Sequence, residues 1–361
     1  METYNNKIDF HSHYLPPAYF EYLSKYENER PDNFDTPGWS LYKHIKNMDD
    51  LGVAFSFISI SSPNLSNADD ETEKAYVRRI NEEGADFVAE YPNRLGLIAE
   101  LPLPNVENSL TEANYALETL KADGFGLKTH YRGKYLGCEE FEPLMKCFNE
   151  QKTVLIIHPS APFNNYAGVN EEVPIPVFEF FVDTTRTFIN LVMKDIFNRY
   201  PDIKWIFPHA GSFITLISDR FDNFSLLMKA KNPLINPDIF GAMKKIYFDL
   251  AGFPLQKQLQ LLKQNVPVSH LLYGSDGPYT PGIATIALSG SIEQTDQLTD
   301  KEKVMIFTEN AISLFPRLSE ILNISIKPTS KIKKTPRMKN RKIWKRKFLT
   351  TIYLKLQNKR R

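Results

Sequence analysis

"KIDFHSHYLPP", residues 7–17, sets a short apolar run, Ile8-Asp9-Phe10, directly before two histidines one residue apart. In a β-strand the side chains at i and i+2 leave the same side, so His11 and His13 would aim both imidazoles at one point. Imidazole suits zinc, copper, iron and nickel alike, and a polar loop after a strand would read the same way. The rest of the chain has to decide. Seven further β-branched or aromatic runs follow: AFSFISI (54–60), RLGLIA (94–99), GFGLKT (124–129), TVLIIH (153–158), KWIFPH (204–209), KIYFDL (245–250) and HLLYGSD (270–276). Helix-like stretches separate most of them, among them WSLYKHIKNMDDLG (39–52) and VFEFFVDTTRTFINLVMKDIFNRYP (177–201), and several end at Gly or Pro as helices do. Strands alternating with helices imply parallel βαβ units, and eight of them imply an α/β fold closed as a (β/α)8 TIM barrel, with an open doubly wound sheet as the alternative. HAGSF (209–213) matches neither phosphate-loop pattern, which leaves nucleotide binding without support.

The 361 residues allow one large barrel. Apolar runs are far too short to cross a bilayer, and no basic start or apolar signal core precedes residue 7, so the cytoplasm is the expected compartment. Cys138 and Cys147 have no CxxC or Cys-His spacing and read as incidental or buried thiols. Charge is uneven. Residues 327–361 hold 15 Lys or Arg and no acidic residue, leaving 29 basic against 43 acidic residues in 1–326. A boundary near Ile326, in linker-like sequence, therefore divides a barrel, 1–326, from a basic C-terminal extension, 327–361.

Functional groups of a (β/α)8 barrel gather at the C-terminal ends of its strands. His11 and His13 follow strand 1, His158 ends strand 5, His209 ends strand 6 and Asp276 ends strand 8. Far apart in sequence, all five fall on one rim. Three neutral imidazoles and a carboxylate, His11, His13, His158 and Asp276, suit Zn2+, with Mn2+ or Fe2+ as alternatives, and leave a position open for water or substrate. His209 is then a base or acid beside the metal.

An HxH after strand 1, HP after strand 5, PHAG after strand 6 and SD after strand 8 resemble the amidohydrolase superfamily. IDFHSHYLP, MDDLGVAFSFISISSP, YRGKYLG, HPSAP, DTTRTFINLVMKDIFNRYPDIKWIFPHAG and YGSDGPYTP are similar to its decarboxylase branch, over about residues 8–315. The resemblance implies a mononuclear site with His11, His13, His158 and Asp276 as ligands, His209 handling protons, and a homodimer in which a neighbouring subunit helps complete the pocket. Two departures bear on the substrate. The aminocarboxymuconate-semialdehyde branch is expected to grip its carboxylate with an arginine in the second βα unit, where WSLYKHIKNMDD has only Lys43, His44 and Lys46, and HAGSF replaces a glycine-richer turn.

These features lead to an expected activity: metal-dependent, non-oxidative decarboxylation of a hydroxylated aromatic or related unsaturated carboxylic acid, with His209 and Asp276 moving the proton and no organic cofactor. A hydrolase opening a lactone or amide would use the same groups, and a scaffold with a silent barrel is the reading from another class. Arg186, in DTTRT, is the candidate to hold the substrate carboxylate, against an i,i+3 ion pair with Asp183. Lys128 stands where binuclear relatives carry a carboxylated lysine, a role the decarboxylase branch does without. His130 reads as a polar pocket residue, and His44, His270 and Asp9 read as structural or supporting. In RKIWKRKFLTTIYLKLQNKRR (341–361), Ile343, Trp344, Phe348, Ile352 and Leu356 fall at helical spacing among basic residues. That pattern fits peripheral contact with an anionic membrane better than nucleic acid, with a solvated tail as the plain alternative.

Overall fold

The computed structural model describes residues 4–28, 30–164, 168–233, 235–254, 257–323, 346, 348–352 and 355. Eight strands form one parallel sheet in chain order: β1 (Lys7–His13), β2 (Val53–Ser59), β3 (Leu95–Ala99), β4 (Gly124–Lys128), β5 (Val154–His158), β6 (Lys204–Phe207), β7 (Tyr247–Asp249) and β8 (Leu271–Leu272). Each corresponds to one of the eight apolar runs. Their composition follows from burial on both faces: every residue of KIDFHSH, LGLIA, GFGLK and VLIIH is buried, because helices cover the outside and side chains fill the inside.

The sheet closes. The Phe10 amide donates to the Tyr273 carbonyl (2.9 Å), the Asp276 amide to the His11 carbonyl (2.7 Å), and the His13 amide to the Gly277 carbonyl (2.8 Å). The regular eighth strand is shorter than HLLYGSD suggests; beyond it the Ser275 amide is shared between the His11 carbonyl (3.2 Å) and Asp9 Oδ1 (3.0 Å). Asp276 follows in the left-handed region, φ 57°.

Ile8, Phe10, Phe57, Ile98, Ile156 and Ile206 pack together inside the barrel, and Phe315 lies against this cluster with ring centroids 4.6 Å from Phe57 and 6.0 Å from Phe10. Burying an aromatic or branched side chain of this kind contributes about 2 kcal/mol. Since all eight strands run the same way, their last residues, His13, Lys128, His158 and Asp249 among them, meet at one rim.

The described residues beyond 323 are helical and partly packed on the barrel. Arg346 is buried and donates to the Leu51 carbonyl (2.8 Å) and to Asn5 Oδ1 (2.9 Å). Thr350, fully buried, lies so close to Gly290 that a Cβ there would meet its hydroxyl at 2.0 Å. The other side of this turn shows Phe348 and Ile352, 49% and 40% exposed. Ile326, Ile343, Trp344 and Leu356 lie outside the described residues. No helix among the described residues is long and apolar enough to cross a membrane.

Candidate metal centre and cavity

The rim brings together all five groups expected from the sequence. One ligand nitrogen from each of His11, His13 and His158 lies within 4.8 Å of the others, and so do one nitrogen each of His11 and His209 and a carboxylate oxygen of Asp276. Asp276 Oδ1 stands 3.5 Å from His11 Nε2 and 3.4 Å from His13 Nε2. Both of these buried Nε2 atoms lack a hydrogen-bond partner among the described residues, an arrangement that costs free energy unless a donor or a cation takes up their lone pairs. His158 Nδ1 sits 2.8 Å from the Pro159 carbonyl, which fixes a proton on that nitrogen and leaves Nε2 as an acceptor, 3.3 Å from the Ser61 hydroxyl. The donor set of His11, His13, His158 and Asp276 fits a divalent cation on these grounds.

The electrostatics agree with ionised carboxylates among neutral imidazoles. Burial alone would push the Asp276 carboxyl up, but the imidazoles of His11 and His13 hold it well below the usual carboxylate range. Burial pushes His13 down, and burial with the neighbouring imidazoles of His13 and His11 holds His158 well below its ordinary value. His11 is the exception. Burial opposes a proton there, yet the Asp249 carboxylate and then Asp276 raise it well above.

Asp249 is the residue the sequence reading missed. It ends β7, fully buried, with Oδ2 2.9 Å from His11 Nδ1 while Oδ1 accepts from the amides of His209 (3.1 Å) and Ala251 (3.0 Å). One carboxylate thus sets the tautomer of a candidate ligand and fixes the backbone of the candidate proton carrier. Its signal was present in KIYFDL, an acid at a strand's C-terminal end, the same kind of position that drew attention to Asp276.

His209 sits in a strained turn. His209, Ala210 and Ser212 all have left-handed φ (54°, 51° and 53°), and Gln258 Nε2 ties the turn together through the His209, Ala210 and Ser212 carbonyls (2.6, 3.4 and 3.2 Å). The HAGSF turn needs Gly211, which takes φ 76° and where a Cβ would meet the Phe248 ring at 2.8 Å. The imidazole stacks on Phe181 at 5.6 Å and 17°, and burial lowers its pKa to about 4.

A cavity of ≈ 460 Å³ opens over His158, His209 and Asp276. Its walls are mostly apolar, with Phe34, Val177, Phe180, Phe181, Phe253 and Ala284, and no arginine or lysine lines it among the described residues. Arg186 is placed elsewhere: half-exposed, it is engaged by Asp183 Oδ1 (2.7 Å) and the Tyr135 hydroxyl (3.1 Å). Lys128 is fully buried and joins neither ligand cluster; its Nζ contacts Glu100 Oε2 at 2.7 Å and the Ile60 carbonyl at 3.2 Å. His130 Nε2 meets the Ala161 carbonyl (2.8 Å), and His270 Nδ1 the Ile246 carbonyl (3.0 Å). Asp9 holds the His11 amide at 3.1 Å, and Cys138 and Cys147 are free thiols.

The family model for amidohydrolases matches residues 8–317. The chain belongs to the amidohydrolase family. Within it, 6-methylsalicylic acid decarboxylase of Penicillium expansum is 30% identical over 322 residues, covering 88% of this chain and 98% of that protein. A solved amidohydrolase II superposes with TM-score 0.82 at 35% identity, over 86% of this chain and 99% of the other. A dihydroxybenzoic acid decarboxylase from Polaromonas, solved with manganese and the inhibitor 2-nitroresorcinol, shares the fold at TM-score 0.74 and 20% identity, over 89% and 98% of the two chains.

Proposed function

We propose that this amidohydrolase-family protein is a metal-dependent, non-oxidative decarboxylase of hydroxylated aromatic or related unsaturated carboxylic acids. The observation that carries it is the cavity: phenylalanines wall a space that exposes His158, His209 and Asp276, two of them members of the His11–His13–His158–Asp276 donor set, so a flat ring bearing a carboxylate can set its charge against the candidate metal position. The substrate class of the Penicillium relative supports the same reading. A divalent cation held by these four residues would supply Lewis-acid stabilisation of the charge that develops as the carboxylate leaves.

The chain's own residues do the remainder. Phe180 and Phe181 hold the ring and exclude water. His209 is neutral and Asp276 ionised at neutral pH, so both begin as proton acceptors. One of them takes a proton from a substrate hydroxyl and returns it to the ring carbon as its bond to the carboxyl carbon breaks, giving CO2 and one C–H bond. Asp249 keeps the His209 backbone in place during this exchange.

The N3O donor set suits zinc, and the manganese of the Polaromonas enzyme makes Mn2+ its rival; elemental analysis of the purified protein decides between them. Exposed Val177, which also lines the cavity, and Leu216, Phe224 and Leu227 along the helix Ile214–Lys231 support a homodimer whose partner covers the cavity mouth. The outward Phe348 and Ile352 in the basic extension support peripheral contact with anionic lipid, which salt-sensitive vesicle binding tests. The free thiols fit the cytoplasm.

The test is a panel of salicylate-type acids and aromatic lactones offered to metal-loaded protein. Release of CO2 with the matching phenol from at least one acid is expected; lactone opening without CO2 from any acid refutes the reading and favours a hydrolase.

A further inference from the structure

Asp32 is the one carboxyl in the cavity wall besides Asp276 among the described residues, and nothing in the proton exchange uses it. It lies in the turn Pro31–Asn33, after the first helix, and with Pro31 and Ser62 it also walls a second, polar cavity of ≈ 510 Å³. Asp32 and Asn33 both take left-handed φ, 57° and 52°, a conformation these two residue types adopt more readily than other non-glycine residues, and it shapes the turn that brings Asp32 to the cavity wall.

Its neighbours show which part of a bound ring it meets. Tyr279 stands with its ring 5.7 Å from that of His13, at the metal centre, and 6.5 Å from Phe34, and its hydroxyl donates to the Ser62 carbonyl at 3.3 Å. Tyr279, Ser62 and Asp32 therefore form a polar strip in an otherwise apolar wall, running away from the candidate ligands. Burial pushes the Asp32 carboxyl up to about 6, with the Ser62 hydroxyl and the Ala161 amide opposing the shift, so at neutral pH it is mostly ionised. An ionised wall carboxylate repels a second carboxylate and accepts hydrogen bonds.

Resting on the decarboxylase reading, we propose that Asp32 is a specificity-determining residue that accepts a hydrogen bond from a ring hydroxyl on the Tyr279–Ser62 side of the cavity. The favoured substrates are then monocarboxylic phenols with a further hydroxyl. A ring with a methyl group in that place, as in 6-methylsalicylate, is used less well. A hydrogen bond to a charged acceptor is the kind of contact that discriminates strongly, because the analogue lacking the hydroxyl leaves the carboxylate unpaired in the wall.

Binding of resorcinol and of 3-methoxyphenol to the metal-loaded protein, measured by calorimetry, isolates the contact without turnover. Wild type is expected to favour resorcinol about tenfold or more. Asp32→Ala should bring the two within about threefold, and Asp32→Asn, which keeps the side chain's shape, should shrink the preference at least about threefold; it also serves if the alanine variant does not fold. An equal preference in wild type, or a preference that Asp32→Asn and any folded Asp32→Ala leave unchanged, overturns the proposal. Turnover separates this from the parent reading. If wild type releases no CO2 from any phenolic acid the decarboxylase assignment fails, whereas CO2 release at equal kcat/KM from 2,6-dihydroxybenzoate and 6-methylsalicylate sinks only the role of Asp32.

Discussion

Replacing Asp249 by asparagine exchanges one carboxylate oxygen for an NH2 group and should weaken the metal centre. In the native chain Oδ2 faces His11 Nδ1 at 2.9 Å, so the imidazole keeps a proton on Nδ1 and turns Nε2, the nitrogen a metal would take, toward Asp276. Asparagine has one carbonyl oxygen for three donors. If that oxygen stays with the His209 and Ala251 amides, now 3.1 and 3.0 Å from Oδ1, the NH2 group faces His11 Nδ1 and forces the proton onto Nε2. A metal must then displace that proton. Loss of the carboxylate also removes the group that, with Asp276, raises His11 well above its ordinary value against the effect of burial, so the ligand becomes a poorer donor. Removing an outer partner of a ligating histidine commonly costs 10- to 100-fold in metal affinity, about 1.4–2.7 kcal/mol, and the tautomer reversal places Asp249→Asn toward the upper end. Chelator competition with Zn2+ and Mn2+, alongside circular dichroism to confirm the fold, reads the effect. A folded variant that binds metal within about threefold of wild type would refute the reasoning, because His11 would then not depend on Asp249 for its tautomer.

Lys128→Met should destabilise the barrel by roughly 3–5 kcal/mol, the range for stripping one partner from a buried ion pair, since Glu100 would be left with its charge and no Nζ at 2.7 Å; urea unfolding measures it, and Lys128→Met/Glu100→Gln should recover much of the loss. His44 is buried, and burial lowers its pKa to about 4, so below pH 6.5 the unfolded chain takes up a proton that the folded chain refuses. Stability is therefore whole above pH 6.5 and lost as pH falls toward 4, by roughly 2 kcal/mol at pH 5; His44→Leu should remove that share of the acid limb in urea titrations of metal-free protein, and parallel curves for the two proteins would count against it. Arg186→Lys should leave KM for a phenolic acid within about threefold, because the guanidinium is held by Asp183 outside the cavity, whereas a tenfold rise would return Arg186 to the substrate carboxylate.

How far the sequence alone reaches depends on the kind of signal. The eight strands were legible because burial on both faces leaves almost nothing but apolar residues between turns, as in VLIIH and KWIF. His11, His13, His158, His209 and Asp276 were legible because polar groups at the ends of such strands stand out, and parallel strands bring those ends to one rim. Asp249 stood at a strand end like Asp276 but completes no ligand set by itself; its role as the partner of His11 Nδ1 appears only in the folded distance. Asp32 and Phe34 escaped for another reason: they sit in an irregular loop with no periodicity, and only the closed fold brings them over the rim. Likewise DTTRT shows a cation on a helix, but which side Arg186 faces depends on Tyr135, which lies in a two-residue strand far from it in sequence. The packing of Arg346 against Leu51 was hidden inside a run of like charges that reads as solvated.

The most direct test follows the carbon that loses the carboxylate. Metal-loaded protein is incubated in D2O with 2,6-dihydroxybenzoate and 6-methylsalicylate, and CO2 and the phenolic product are quantified by mass spectrometry. The account requires equal amounts of CO2 and phenol from at least one acid, one non-exchanging deuterium at the vacated ring carbon, and loss of both signals on chelation with recovery on adding Zn2+ or Mn2+. Intact acids with no CO2 from metal-replete protein, or turnover that persists after the metal is removed, would contradict it.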